Sequence, residues 1–329
     1  MEDVARVAGV STATVSRVLN SPAIVAHETL SRVHRAIESL GYRPNVFAQG
    51  LTTNRSQLLG ILLPDIHGEF YSELLRGADV QARALGYHLL VSTQGSAQET
   101  PTFSPTILGF IGGLAVMITE PNDRLWSQVN QAGLPLVVID EKRRGNGVDR
   151  ILVDNRSGTQ DAVEHLLTSV PPDRCYFVGG PKENFDTAER ARVFVETLAK
   201  HKRKVSAEQV RYGEYSVEWG QRACESLFEK RTPGPLGVLA ADDEIAFGVL
   251  IAAKDLGVGV PSELKIVGFD DTRLASLVRP KLSTVRVPMA DVGSAAVRML
   301  VDRLHEPKRA TQTLTLPTEL VIRDTSKPV

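Results

Sequence analysis

The sequence predicts a short all-α helix-turn-helix headpiece at the N-terminus, followed by a two-lobed α/β core of two parallel sheets flanked by helices. Three observations predict this. Residues 1–41 carry apolar positions at helical spacing, interrupted at Gly9, Pro22 and Gly41. From residue 58 onward, β-branched and Leu-rich runs alternate with helical patterns, the rhythm of strands joined by crossover helices. Those runs fall into two sets of five, which predicts two similar lobes, although no repeat is visible beyond the rhythm.

Length and composition narrow the class. The 329 residues exceed one small domain and suffice for two or three. With 42% hydrophobic and 23% charged residues, the chain has the composition of an ordinary globular protein. Cys175 and Cys224 lie far apart without metal-ligand spacing, which argues against a disulfide framework and for a reducing compartment. No apolar run approaches the roughly 18 residues of a membrane span. The N-terminus has no signal-peptide core either, so a cytoplasmic protein with no membrane partner is expected. The net charge of −1 names no partner, but it is unevenly spread. Residues 1–58 hold six Arg, no Lys and four acids, whereas the remainder is net acidic. Guanidinium forks suit phosphate and guanine; a solvated surface accounts for the bias equally well.

In the headpiece, Glu2–Ala8 predicts a first helix with Val4, Ala5 and Ala8 on one face and Gly9 as its stop. Gly9, Val10 and Ser11 then supply a turn residue, an apolar anchor and an N-cap. A second helix is predicted over 12–19, with Val15, Val18 and Leu19 inward, ended by Asn20, Ser21 and Pro22. The third, about 27–40, places Leu30, Val33, Ile37 and Leu40 at core spacing before Gly41. With the stripe of the second helix turned inward, Thr12, Ala13, Ser16 and Arg17 face outward, as on a recognition helix. Arg17 can donate two hydrogen bonds to guanine O6 and N7, worth roughly 1–3 kcal/mol of discrimination. Thr12 suits a thymine methyl, and Thr14 and Ser16 suit phosphates. A three-helix packing module with an ordinary surface explains the same pattern.

In the core, strands are predicted at 58–63, 87–92, 114–118, 136–139 and 151–153, then at 174–178, 210–212, 237–240, 265–268 and 283–287. Helices such as 71–85, with Leu74, Leu75, Ala78, Ala82 and Leu85 at helical spacing, lie between them. In open α/β sheets the ligand lies beyond the carboxyl ends of the strands. The residues found there are Phe70 and Tyr71, Glu120, Asp140 and Glu141, and Asp154 in the first set. In the second set they are Asn184, Asp186 and Arg190, Tyr215, Asp242 and Asp243, and Asp270 and Asp271. Aromatic faces mixed with carboxylates and an Arg suit a hydroxyl-rich ligand. Structural roles compete with this reading: Phe70 and Trp219 as packing, Asp270 and Asp271 as caps of the following turn. Arg190, Asp243 and Tyr215 are the strongest candidates for ligand contact.

The wording from Val4 to Asn20, continued at Gly41–Asn45 and at Ala48, Gln49, Gly50 and Leu51, resembles the headpiece and hinge of the lactose/galactose-repressor (LacI/GalR) family. The likeness resumes at Pro64-Asp65, Val153-Asp154-Asn155, residues 241–248 and residues 267–271, and so spans nearly the whole chain. The resemblance implies a transcriptional regulator, in the simplest case a repressor. It also implies a periplasmic-binding-protein-like core with a small-molecule pocket between its lobes and no cofactor. Thr12, Ala13 and Arg17 align with base-reading positions; Thr14, Ser16 and Asn20 complete the expected DNA-facing set. Leu51 aligns with a leucine that wedges into the minor groove. Such a wedge needs paired hinge helices, hence a homodimer on a pseudo-palindromic DNA operator. Asp154, Arg190, Tyr215 and Asp243 align with common contacts to the effector, expected here as a sugar, polyol or related metabolite. The implied organisation is headpiece 1–43, hinge helix and linker 44–57, and core 58–329. Lobe 1 covers about 58–155 plus 288–314, and lobe 2 about 156–287 plus 315–329.

Several positions depart from that pattern. The family usually begins two to five residues earlier with a Thr cap, which leaves room for an upstream start. Ala26 stands where a Ser commonly caps the third helix, worth about 1 kcal/mol. Gly50 stands within the hinge, so a hinge that folds only on DNA is expected. Asp242 replaces the usual Asn and Glu141 a common Arg, which makes the pocket acidic. Residues 95–108 lack the charged helix expected there, and no leucine heptads follow Leu320, which favours a dimer over a tetramer. Two other classes compete. A transporter's solute-binding protein shares the two-lobed core but needs a signal peptide and no headpiece. An enzyme on a doubly wound fold needs a phosphate loop, nucleophile elbow or metal motif, and none is present.

Overall fold

A computed structural model describes residues 1–20, 22–42, 56–93, 108–117, 119, 126–127, 131, 133–140, 148–201, 205–229 and 234–327. The chain divides into two compact units, Met1–Ser56 and Gln57–Val329.

The first unit is a three-helix packing. Helix α1 (Glu2–Ala8) stops at Gly9, whose φ of 64° is left-handed and favours a residue without a Cβ. Helix α2 (Thr12–Asn20) begins after Ser11, whose Oγ accepts the Thr14 N–H at 3.1 Å. Helix α3 (His27–Ser39) starts at Ala26 with no side-chain cap. Val4, Ala5, Ala8, Val15, Val18, Val33 and Ala36 form the buried core, with Leu19, Leu30 and Ile37 packed partly against it. Leu40, expected in that core, is 43% exposed. It lies past the end of α3, where the helical spacing no longer holds, and Ala36 takes the inward position.

The second unit contains two six-stranded sheets. The first has the order β11-β5-β4-β3-β1-β2, from β1 (Leu58–Leu63), β2 (His88–Thr93), β3 (Gly113–Met117), β4 (Leu136–Ile139), β5 (Asp149–Val153) and β11 (Thr313–Leu316). The second has the order β12-β10-β9-β8-β6-β7. Its strands are β6 (Cys175–Gly179), β7 (Val210–Tyr212), β8 (Leu236–Ala240), β9 (Leu264–Asp270), β10 (Ser283–Arg286) and β12 (Glu319–Val321). β3 and β8 are buried throughout, as strands covered on both faces must be. The first sheet is parallel in every pairing, but β12 runs antiparallel to β10. β11 and β12 were not predicted: both are short, partly exposed edge strands whose Thr, Glu and Leu mixture carries little strand signal. The expected lobe boundary at 314 falls inside β11, which belongs to the first sheet through Leu316.

The chain crosses between lobes three times: after β5, after β10 and after β11. Helix α4 (Glu69–Ala84) packs on α10 (Met289–His305) in lobe 1, and α7 (Val217–Phe228) on α8 (Asp243–Asp255) in lobe 2. Both crossings use facing glycines. A Cβ on Gly77 would overlap the Ala290 backbone and one on Gly293 the Leu74 carbonyl. In lobe 2 the overlaps would be Gly220 with Ile245 and Gly248 with Val217. Buried Asp149 at the start of β5 accepts both Nε and Nη2 of Arg303 from α10, and the Gln312 N–H, which docks β11. Among the described residues no helix is long and apolar enough to cross a membrane.

Candidate functional site

Two surfaces carry the chemistry. The first is the outer face of α2. Val15 and Val18 are buried, so helical geometry turns Thr12, Ala13 and Arg17 out, where they are exposed; Thr14 and Ser16 lie at the margin. The Thr14 hydroxyl is 2.9 Å from the Ser11 hydroxyl and belongs to the cap as much as to the surface. Arg6 pairs with Asp3 at 2.7 Å and Arg35 donates to the Ser31 carbonyl, whereas Arg17 has no partner among the described residues. The Asn20 side chain and Leu51 lie outside the described residues, as does the hinge apart from Ser56 and Gln57.

The second surface lies where the carboxyl ends of the two sheets face one another. From lobe 1, Asp140 follows β4 with a φ of 59° and is 7% exposed; one of its carboxylate oxygens accepts the Val153 N–H at 3.1 Å. Phe70 and Tyr71, in the first turn of α4, form an edge-to-face pair with centroids 5.3 Å apart. Both are half-buried against the core, so Phe70 serves packing as well as any ligand. Glu120 and Glu141 lie outside the described residues. Asp154 caps helix α5 (Asn155–Leu167) through the Ser157 N–H.

From lobe 2, Asn184 caps helix α6 (Phe185–Lys200) by accepting the N–H groups of Asp186 and Thr187, and it also accepts the Tyr215 hydroxyl at 3.0 Å. Tyr215 lies 2.7 Å from the Thr187 hydroxyl as well, and its ring packs on Gly180. Asn155 bridges two neighbours. Its Nδ2 donates to Asp186 at 2.6 Å and its Oδ1 accepts from Arg190 Nε at 2.8 Å. Arg190 also donates to the Ala241 carbonyl at 2.5 Å, and its guanidinium carbon stands 3.6 Å from the Phe269 ring centroid. Asp242 caps α8 through the Ile245 N–H. Trp219 is packing, with its indole N–H on the Gly179 carbonyl.

Two expectations change here. Asp243 is fully buried, and both its oxygens are occupied by the Thr272 N–H, the Thr272 hydroxyl and the Thr284 hydroxyl. It clamps α8 to the ends of β9 and β10 instead of presenting a carboxylate to a ligand. Asp270 and Asp271, both expected as caps, part company. Asp271 is held by Arg286 and Arg323, whereas the carboxylate of Asp270, at a φ of 110°, accepts no hydrogen bond among the described residues. Asn155 was missed as a site residue; its signal was its position directly after Asp154 at a strand end.

Among the described residues, the cleft is rich in carboxyl groups. Burial, with help from Asp65, Asp186, Asp270 and Asp140, pushes the Tyr71 phenol far above its ordinary value, so α4 of lobe 1 stands in the field of lobe 2 carboxylates. Burial and then Asp186 push Asp140 well above the usual carboxylate range. Burial pushes Asp270 up in the same way and brings Asp242 and Asp243 to about 7. Among the described residues, no three His, Cys, Asp or Glu side chains gather closely enough to hold a metal ion.

The profile for bacterial regulatory proteins of the lacI family matches residues 1–45, and that for a periplasmic binding protein-like domain matches residues 164–326. Catabolite control protein A of Staphylococcus xylosus is 32% identical over 99% of this chain and 98% of its own. The chain belongs to the lacI family. The HTH-type transcriptional regulator RegA of Clostridium saccharobutylicum is 31% identical with the same coverage. Among solved structures, a lac repressor dimer bound to operator and the anti-inducer ONPF superposes with a TM-score of 0.82 at 25% identity, covering 98% of each chain. A complex of the transcriptional regulator CelR with cellobiose gives 0.73 at 25% identity and the same coverage. This lacI-family chain is thus a DNA-binding transcriptional regulator with a small-molecule effector, and its relatives are regulators, not enzymes.

Proposed function

We propose that the chain is a homodimeric repressor that binds a pseudo-palindromic operator through α2 and Leu51, and whose affinity changes when a hydroxylated metabolite, a sugar or polyol, fills the cleft. One observation carries the DNA reading: Arg17 stands exposed on α2 and is unpaired among the described residues, with Thr12 and Ala13 beside it. The cleft supports the effector reading through its polar lining of Asp140, Asn155, Asp186, Arg190 and Asp242 beside Phe70 and Tyr71. Exposed apolar side chains at Val80, Ile251, Leu274 and Leu277 give a second copy surface to cover, and the lac repressor structure is a dimer on its operator. The coupling then requires that the effector prefer one arrangement of the lobes.

Footprinting of the full chain on DNA upstream of its own coding region tests the reading. A protected, two-fold symmetric segment whose binding weakens steeply with salt is expected. Arg17→Ala should cost roughly 1–3 kcal/mol on that segment and far less on random DNA. Equal losses on both would reduce Arg17 to a phosphate contact, and no protected segment at low salt would end the proposal.

A further inference from the structure

Among the described residues, the cleft between the lobes gathers more carboxyl groups than cations to balance them. Asp140 comes from lobe 1 and Asp186, Asp242 and Asp270 from lobe 2, against Arg190 among the described residues. That guanidinium is already committed to the Asn155 amide, the Ala241 carbonyl and the face of Phe269. Asp140 supplies an independent sign of a missing partner. The residue is more than nine-tenths buried, one carboxylate oxygen receives the Val153 N–H, and the other, still accessible, has no donor among the described residues. The carboxylate of Asp270, which is half-buried, has none at all among them. A buried carboxylate short of donors and counter-charge is costly, and a neutral hydroxyl can supply a donor without supplying the charge. A protonated amine supplies both, through short charge-assisted hydrogen bonds. The aromatic faces of Phe70 and Tyr71 at the same cleft add a surface that attracts cations. The acids do not converge tightly enough for a metal ion among the described residues, so the match is an extended organic molecule.

We infer that the effector carries a protonated amine on a hydroxylated, sugar-sized skeleton, as in an amino sugar or an aminated polyol. This rests on the cleft being the effector site and specifies what that site takes.

The test is calorimetric titration and thermal shift of the full chain with matched compounds. Glucosamine is compared with glucose and N-acetylglucosamine, galactosamine with galactose, and 1-amino-1-deoxysorbitol with sorbitol. At least one amine should bind, roughly tenfold or more tighter than its uncharged counterparts. Asp140→Asn and Asp270→Asn each should weaken that amine about tenfold. Asn has the shape of Asp and tolerates the left-handed φ of Asp140, so these variants are the mildest change at each position. An uncharged compound binding as tightly as its amine, or an amine indifferent to both Asn variants, overturns the inference and leaves the effector reading in place. Absence of binding by every compound overturns the inference and the sugar or polyol reading together.

Discussion

The guanidinium carbon of Arg190 stands 3.6 Å from the centroid of the Phe269 ring, so this cation of the cleft is braced by the core of lobe 2. Its Nε and Nη1 reach Asn155 and the Ala241 carbonyl at the same time. A planar fork over a ring is a geometry that an ammonium cannot copy. Arg190→Lys should therefore lower stability by about 2–3 kcal/mol in urea unfolding, from a desolvated stack and charged hydrogen bonds. It should also abolish the effector-induced thermal shift. A lysine variant with an unchanged midpoint and an unchanged shift would show that the stack contributes nothing.

Asp243 separates clamping from ligand contact. Asp243→Ala leaves the Thr272 N–H and two threonine hydroxyls without their acceptor in a site from which water is excluded. The expected cost is about 3 kcal/mol, with Asp243→Asn costing roughly half, because the hydroxyls can rotate to accept from the amide. The discriminating readout is ligand affinity measured well below the melting range. Loss of affinity without loss of stability would return Asp243 to the ligand.

What could be read in advance follows from how local each signal is. The headpiece was legible because Gly9, Ser11 and the Val15–Val18 spacing are self-sufficient cues within about twenty residues. Strand ends in the core were legible for the same reason, since buried parallel strands are continuous apolar runs. β11 and β12 are held mainly by partners far off in sequence, such as Asp149 with Arg303 and Gln312, and their own residues say little. Side-chain roles in the cleft were not legible where tertiary partners decide. Asp243 and Asp270 both follow strands, and only Thr272 and Thr284 closing on Asp243 make one a clamp and leave the other open.

The acidic cleft predicts a pH dependence. Burial pushes Asp242 up to about 7 and Glu244 adds to it, while the Ile245 N–H and Arg190 pull it down. The folded chain thus retains a proton that the unfolded carboxyl, near 3.8, releases. Stability from this group is fully present below 3.8 and is lost as pH rises through about 7. His165 works in the opposite sense. Burial and Lys265 push it below its ordinary 6.5 against its bond to Ser326, so its contribution is lost as pH falls below 6.5. Above pH 6.5 the buried carboxyls dominate. Urea midpoints of the unliganded chain should fall as pH rises through about 7, and Asp242→Asn should make that fall shallower, with Asp243, Asp140 and Asp270 carrying the rest; parallel slopes would remove Asp242 as a contributor.

The helix crossings predict how the core unfolds. Gly77 faces the Ala290 backbone in lobe 1 and Gly248 faces the Val217 carbonyl in lobe 2, and neither backbone can yield as a flexible side chain would. Gly77→Ala and Gly248→Ala should each cost about 3 kcal/mol or more, the upper end for overpacking, despite the gain in helix propensity. The lobes share three chain crossings, and hydrogen bonds join them from Phe185 to Thr119 and from Arg273 to Glu69. Strain introduced in one lobe should therefore weaken both. A single cooperative transition, shifted by either substitution, is expected in circular dichroism and tryptophan fluorescence. Two transitions, with Gly77→Ala moving one and Gly248→Ala the other, would show that the crossings do not couple the lobes.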